Sequence, residues 1–333
     1  MWARRVAVAA GAGVLATMAA VAAGCGGPSR TARGSGSPPT TRTTTAATAT
    51  TTSSTPPTGT PGATATSTTP AGPGITVVAA GDIACAPGAP PSPSECQQAA
   101  TADLAASLHP DAVIAAGDLQ YDAGARRAFD ASYAPSWGRL RDLTHPAVGN
   151  HEYGTSHAAG YFGYWGDRAG APGKGWYSWD LGGWHFVALD SDCSIVGCGE
   201  GSAQLAWLRA DLATSSATCT LAYWHHPRFS SGLHGDDASV DPLWRALVAA
   251  HADIVVSGHD HDYERFASKD GLRQFVVGTG GRNLYPVLKP EAGSQAVAER
   301  FGVLRLTLSA ASYAWEFHAI GGDVLDRGTA PCG

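Results

Sequence analysis

The first 73 residues contain no Asp, no Glu, no His and no aromatic residue except Trp2. Their only charges are Arg4, Arg5, Arg30, Arg33 and Arg42, which is +5. The whole chain carries a formal −6, so residues 74–333 carry −11, together with all 12 histidines. That acidic part has no Lys/Arg cluster. This argues against nucleic-acid binding, because phosphate backbones are held by clustered positive charge. No internal period is present, which excludes a repeat solenoid. No CxxC pair occurs among the seven cysteines, so a cysteine-based metal site is not expected.

What the first part does contain reads as an address and a tether. Met1–Arg5 is positive, and Val6–Ala23 is an uncharged run rich in Ala, Gly and Val. Small residues then lead to Gly24-Cys25. A positive start, an apolar run and small residues before a cut describe an export signal over residues 1–25. Small residues directly before a Cys resemble a bacterial lipobox, although Ala22 stands where Leu is usual. Cys25 is therefore the expected lipid anchor, and membrane contact is expected only through it. The expected location is the outer face of the bacterial membrane. Cleavage near Ala23 with plain secretion is the alternative. Residues 26–73 read as a linker. Pro28–Pro73 is about one-third Thr and lacks Ile, Leu, Val and aromatics, so nothing there offsets the entropy of ordering. Beyond Cys25, an even set remains: Cys85, Cys96, Cys193, Cys198, Cys219 and Cys332. In an exported domain this suggests three disulfides. Short loops favour Cys85–Cys96 and Cys193–Cys198, leaving Cys219 with Cys332.

Residues 74–333 form the expected folded domain. Ile75–Ala80, Asp111–Ala116 and Asp253–Ser257 are short apolar runs that read as buried strands. Further strands are expected at Pro146–Gly149, Thr220–Trp224, Gln274–Gly278, Val303–Leu308 and Ala314–Ile320. Tyr177–Leu181 and Trp184–Leu189 flank Gly182-Gly183 as a hairpin. Helices are expected over Glu95–Leu108, after a Ser202 cap, and through Val240, Leu243, Trp244, Leu247 and Val248 at helical spacing. Alternating strands and helices followed by strands predict an α/β domain with mixed sheets.

Five polar segments follow five of these strands: Gly81-Asp82, Gly117-Asp118 with Tyr121, Gly149-Asn150-His151-Glu152, His225-His226-Pro227 and Gly258-His259-Asp260-His261. Singly, each is a turn or a surface histidine. Together they place carboxylates, an amide, imidazoles and a phenol at strand ends, where α/β sheets build sites. Such a donor set suits Fe, Mn or Zn, and it is too large for one tetrahedral ion. Two metals sharing a carboxylate would use it.

At these residues the chain resembles the calcineurin-like metallophosphoesterases, and within them the purple acid phosphatases. Gly258-His259-Asp260-His261-Asp262-Tyr263-Glu264-Arg265 is close to the family's GHxHxYER. Trp176–Asp180 and Gln204–Leu208 also look familial. The resemblance implies a four-layer sandwich of two mixed β-sheets flanked by helices. It implies hydrolysis of small phosphate monoesters by two metal ions, Fe(III) plus a divalent Fe, Zn or Mn. Asp82, Tyr121 and His261 would hold the first metal, Asn150, His225 and His259 the second, and Asp118 would bridge. The general family block is Asp-x-His. Here Ile83-Ala84 follows Asp82, and Tyr121 stands where the purple enzymes place a tyrosinate.

His151 and His234 are the candidates for binding phosphate and protonating the leaving group, with Glu152 and Asp260 behind the ligands. His226 competes with His225 as a ligand. His234 lies nine residues past His225 as in the family's histidine pair, but Gly235 replaces its partner. His109, His145, His157, His185, His251 and His318 match no motif and are expected to be structural. The alternatives to a monoesterase are a phosphodiesterase with the same centre and a non-catalytic surface-binding lipoprotein.

Overall fold

A computed structural model describes residues 74–333. The export signal, Cys25 and the linker lie outside the described residues. The first sheet has six strands in the order β13-β12-β11-β1-β2-β3. These are β1 Ile75–Ala80, β2 Ala112–Ala116, β3 Thr144–Ala147, β11 Gly302–Ser309, β12 Ser312–Ala319 and β13 Val324–Pro331. The second has seven, in the order β10-β8-β9-β7-β6-β5-β4. These are β4 Tyr177–Leu181, β5 Trp184–Ala188, β6 Cys219–Tyr223, β7 Ile254–Ser257, β8 Tyr263–Phe266, β9 Arg273–Val277 and β10 Ser294–Ala298. Strands β1, β2 and β3 are parallel, as are β5, β6, β7 and β9, and the outer strands of each sheet run antiparallel. This is the expected pair of mixed sheets.

The apolar runs are continuous because both faces of the central strands are covered. In the second sheet, Phe186, Ala188, Leu221, Tyr223, Ile254 and Val256 belong to the core shared with the first sheet. Their neighbours Val187, Leu189, Ala222, Trp224 and Val255 instead pack with Leu205, Leu208, Leu243 and Leu247 of the helices Ala203–Thr214 and Asp241–Ala249. The strand period of two thus divides each strand between two cores. Ser202 caps the first of these helices as expected, its hydroxyl accepting the Leu205 N–H. On the first sheet, Ala102 and Ala105 of the helix Gln98–Ser107 join the shared core.

Several elements differ from expectation. The first helix begins at Gln98 rather than Glu95, because Cys96 takes a left-handed φ of 62° to close its disulfide loop. Strand β3 sits two residues earlier than expected, so Val148 and Gly149 belong to the turn. Strands β8, β10 and β13 carried no strand signal. β10 and β13 are edge strands with alternating exposure, and β13 bears Asp326 and Arg327. Such edges need little apolar surface.

The three disulfides pair as expected: Cys85–Cys96, Cys193–Cys198 and Cys219–Cys332. The last spans 113 residues and ties β6 to the C-terminus. Loops of that length constrain the unfolded chain most. Replacing Cys219 and Cys332 together with Ser should cost about 2–5 kcal/mol, read as a lower urea midpoint with a steeper slope, since the released unfolded chain exposes more surface.

His145 on β3 stacks on Trp179, ring centroids 3.6 Å apart, and Trp179 stacks on Phe186. Burial, aided by Arg168, pushes His145 down to about 4. The unfolded state therefore binds a proton near pH 6.5 that the folded state refuses. Stability should fall as pH drops from about 6.5 to about 4 and then level off. In His145→Phe that part of the acid sensitivity should vanish, as measured by urea unfolding at stepped pH.

Candidate metal centre

Five strands deliver polar residues to one crest between the sheets. β1 ends at Gly81-Asp82, β2 at Gly117-Asp118, β3 leads to Gly149-Asn150, β6 to His225, and β7 to Gly258-His259. The chain turns so sharply there that Asp82, Asp118 and His259 adopt left-handed φ values of 58°, 49° and 73°. Side chains with a Cβ rarely accept this region, and such strain collects at functional sites. It is held by the crest itself. Asp82 Oδ2 accepts the His259 N–H at 2.8 Å, and Asp118 Oδ1 accepts the His151 N–H at 2.8 Å. The glycines are required by crowding. A Cβ on Gly258 would lie 2.5 Å from Asp82 Oδ2, and one on Gly149 would collide with Asp118.

The side chains meet closely. The Tyr121 hydroxyl lies 2.8 Å from Asp82 Oδ1, 3.0 Å from Asp118 Oδ2 and 3.1 Å from His261 Nε2. His261 Nε2 is 3.1 Å from Asp82 Oδ1. His225 Nε2 is 3.2 Å from Asp118 Oδ2 and 3.3 Å from His259 Nδ1. Asn150 Oδ1 is buried without a hydrogen-bond partner. All seven expected ligand residues are thus at the crest. His226 is not equivalent to His225: its Nδ1 and its backbone N–H both engage the Ser191 hydroxyl.

This arrangement fits a bound cation. One phenolic proton cannot satisfy two carboxylates, and the Asn150 amide oxygen in the neighbouring turn is buried without a partner. The protonation balance agrees. Burial, then Asp118 and Asp82, raise Tyr121 well above 10. A tyrosinate there needs added positive charge. Burial acts to lower His225, but Asp118 and Asp82 outweigh it and push it up to about 10. Burial acts to raise Asp118, yet His225 and His151 bring it below the ordinary carboxylate range. Burial, followed by His225, His226 and His234, lowers His259. Without a metal, the one imidazole beside both carboxylates takes the proton.

Supporting groups orient the ligands. The fully buried Glu152 accepts N–H groups from Leu119 at 3.0 Å, Gln120 at 3.1 Å and Gly149 at 2.9 Å, joining the Asp118 turn to the Asn150 turn. His225 Nδ1 donates to the Ala116 carbonyl at 3.0 Å. His261 Nδ1 faces Asn283 Oδ1 at 3.1 Å, and the Tyr285 ring stacks on His261 at 4.1 Å. Asn283 and Tyr285 went unmarked in the sequence. Their signal was another glycine-rich strand end, Gly278-Thr279-Gly280-Gly281, directly after β9. His151 lies beside Tyr121, ring centroids 4.3 Å apart, and its Nδ1 is 2.6 Å from the Asp122 carbonyl. The His234 ring lies 4.2 Å from that of His259. Among the remaining histidines, His185 is held between Asp180 and Asp211.

The calcineurin-like phosphoesterase family pattern matches residues 75–263. The chain belongs to that family. Among curated relatives, this phosphoesterase is 32% identical to purple acid phosphatase 15 of Arabidopsis thaliana over 105 residues, 30% of this chain and 19% of that protein. It is 27% identical to purple acid phosphatase 23 of the same plant over 195 residues, 47% and 42% of the two chains. The matches thus span less than half the length of these relatives. Among solved structures, the purple acid phosphatase PPD1 from yellow lupin seeds shares the fold, with a TM-score of 0.65, 19% identity and coverage of 77% and 53%. The calcineurin-like fold, with enzymes of phosphoric ester hydrolysis among its kin, is therefore that of this chain.

In this phosphoesterase, Glu152→Ala would leave three buried N–H groups unpartnered. The expected cost is about 3 kcal/mol or more, at roughly 1–3 kcal/mol for each group. A thermal melt compared with wild type checks it.

Proposed function

We propose that this protein hydrolyses phosphate monoesters at a dinuclear metal centre. Asp82, Tyr121 and His261 would hold one ion, Asn150, His225 and His259 the other, and Asp118 would serve both. The observation that carries this reading is the Tyr121 hydroxyl, placed among Asp82, Asp118 and His261 with too few protons for its neighbours. A phenol in that position favours Fe(III), paired with a divalent Fe, Zn or Mn. Bound ions would supply positive charge to phosphoryl oxygens and lower the pKa of a water. The chain's own residues do the rest. Asp118 and Asn150 follow β2 and β3, whose parallel pairing sets the spacing of their turns. His151 and His234 flank it, where they bind phosphoryl oxygens and give a proton to the leaving oxygen. The half-buried rings suit that exchange with solvent.

The three disulfides support export, and a lipid on Cys25 would tether the domain beyond the linker. Among the described residues, no helix is long and apolar enough to cross a membrane.

Metal analysis should give about two ions per chain with a broad visible band, and Tyr121→Phe should remove the band. Asn150→Ala and His259→Ala should each abolish p-nitrophenyl phosphate hydrolysis while far-UV circular dichroism is unchanged. Full activity in either variant refutes the ligand assignment. Faster turnover of bis-p-nitrophenyl phosphate than of the monoester would make the enzyme a diesterase instead.

A further inference from the structure

Asp260 stands between two ligand histidines, yet it points away from them. Its side chain is fully buried and, among the described residues, has no Lys or Arg partner. Its Oδ1 accepts the His234 backbone N–H at 2.8 Å and lies 3.0 Å from His234 Nδ1. Its Oδ2 accepts the Ser230 hydroxyl at 2.5 Å. The loop Ser230–His234 is wrapped onto this one carboxylate. Gly232 allows it, since a Cβ there would lie 2.5 Å from the Asp260 Cβ. A carboxylate can only accept, so Nδ1 must carry the proton, which leaves Nε2 as the working atom. Among the described residues, Nε2 has no hydrogen-bond partner. The ring sits between His259, at 4.2 Å, and Tyr285, at 5.4 Å between centroids, on the open side of the crest. The histidine itself is 40% exposed, whereas its anchor is not exposed at all.

We infer that Asp260 is a positioning residue, fixing the tautomer and ring direction of His234 so that Nε2 meets the leaving-group oxygen. This rests on the monoesterase reading above. In that reaction a water oxygen bonds to phosphorus and the bond from phosphorus to the leaving oxygen breaks. His234, entering as the imidazolium, gives its Nε2 proton to the leaving oxygen while Nδ1–H stays on Asp260, and the proton released by water returns Nε2 to its protonated form. Gly235 follows His234, so no adjacent residue of the loop supplies a second imidazole for this role.

Leaving-group dependence tests this. Alkyl phosphates need a proton on the leaving oxygen, and p-nitrophenyl phosphate scarcely does. Asp260→Ala and His234→Ala should each lower kcat on an alkyl phosphate by about 10²-fold, with far smaller loss of kcat on p-nitrophenyl phosphate. The double variant should be no worse than either single one, since the two act as a unit. Asp260→Asn, which keeps the shape, should show the same selective pattern at smaller size. A second readout needs no substrate. In the zinc-reconstituted protein, nitrogen NMR of the imidazoles should show His234 protonated on Nδ1 at alkaline pH, shifting to Nε2 in Asp260→Ala. Equal losses across both esters, additive losses in the double variant, or an Nε2–H tautomer in the wild type would each overturn the inference. A wild type that hydrolyses neither ester would overturn the monoesterase reading itself, and this role with it.

Discussion

Two carboxylates, Asp82 and Asp118, are buried within reach of one phenolic proton, and neither has a Lys or Arg partner among the described residues. Burying such charges is costly unless they are paired. The rest of the crest is arranged around that cost. Left-handed backbone at Asp82, Asp118 and His259 aims the side chains inward, and the carboxylates accept backbone N–H groups in return. Glu152 ties two of the turns together. Within the protein His225, aided by His151, offsets this charge, and His225 does so by holding a proton to about 10. A pair of cations would displace that proton and free the nitrogen. The domain's −11 counts side chains alone, and cations held at the crest would reverse the balance there.

Most of this was legible in the sequence because glycine followed by a polar residue, placed after an apolar run, is a local pattern. Asp82, Asp118, Asn150 and His259 each sit at a strand end where that pattern put them. The disulfide pairing was legible from loop lengths alone. The supports were harder to read. Asn283 meets His261 through a turn after β9, and Asp260 meets His234 across 26 residues of chain. Such contacts depend on how separate loops pack, and no local pattern encodes them. Edge strands were missed for the opposite reason. Strand β13 owes its place to pairing with β12, not to buried side chains.

The site also separates positions that hold from positions that vary. Asp82 and His259 stand just past the ends of β1 and β7, whose backbones are locked within the two sheets. His151 and His234 stand on loops, partly exposed, each held by an oxygen from elsewhere in the chain.

Strand β1 opens the folded domain, yet its hydrogen-bonded neighbour β11 begins at Gly302. His259 meets the Asp82 carboxylate across a separation of 177 residues, and the Gly333 N–H closes on Asp253. A chain emerging from the ribosome or threading through a membrane pore therefore carries its first metal-binding residue long before its last supports exist. Loop closure over such spans is slow. The unfinished chain holds an exposed carboxylate and phenol but no cage around them. Capture of an ion at the crest would therefore await the later part of the chain, which brings His225, His259 and His261 to Asp82 and Tyr121.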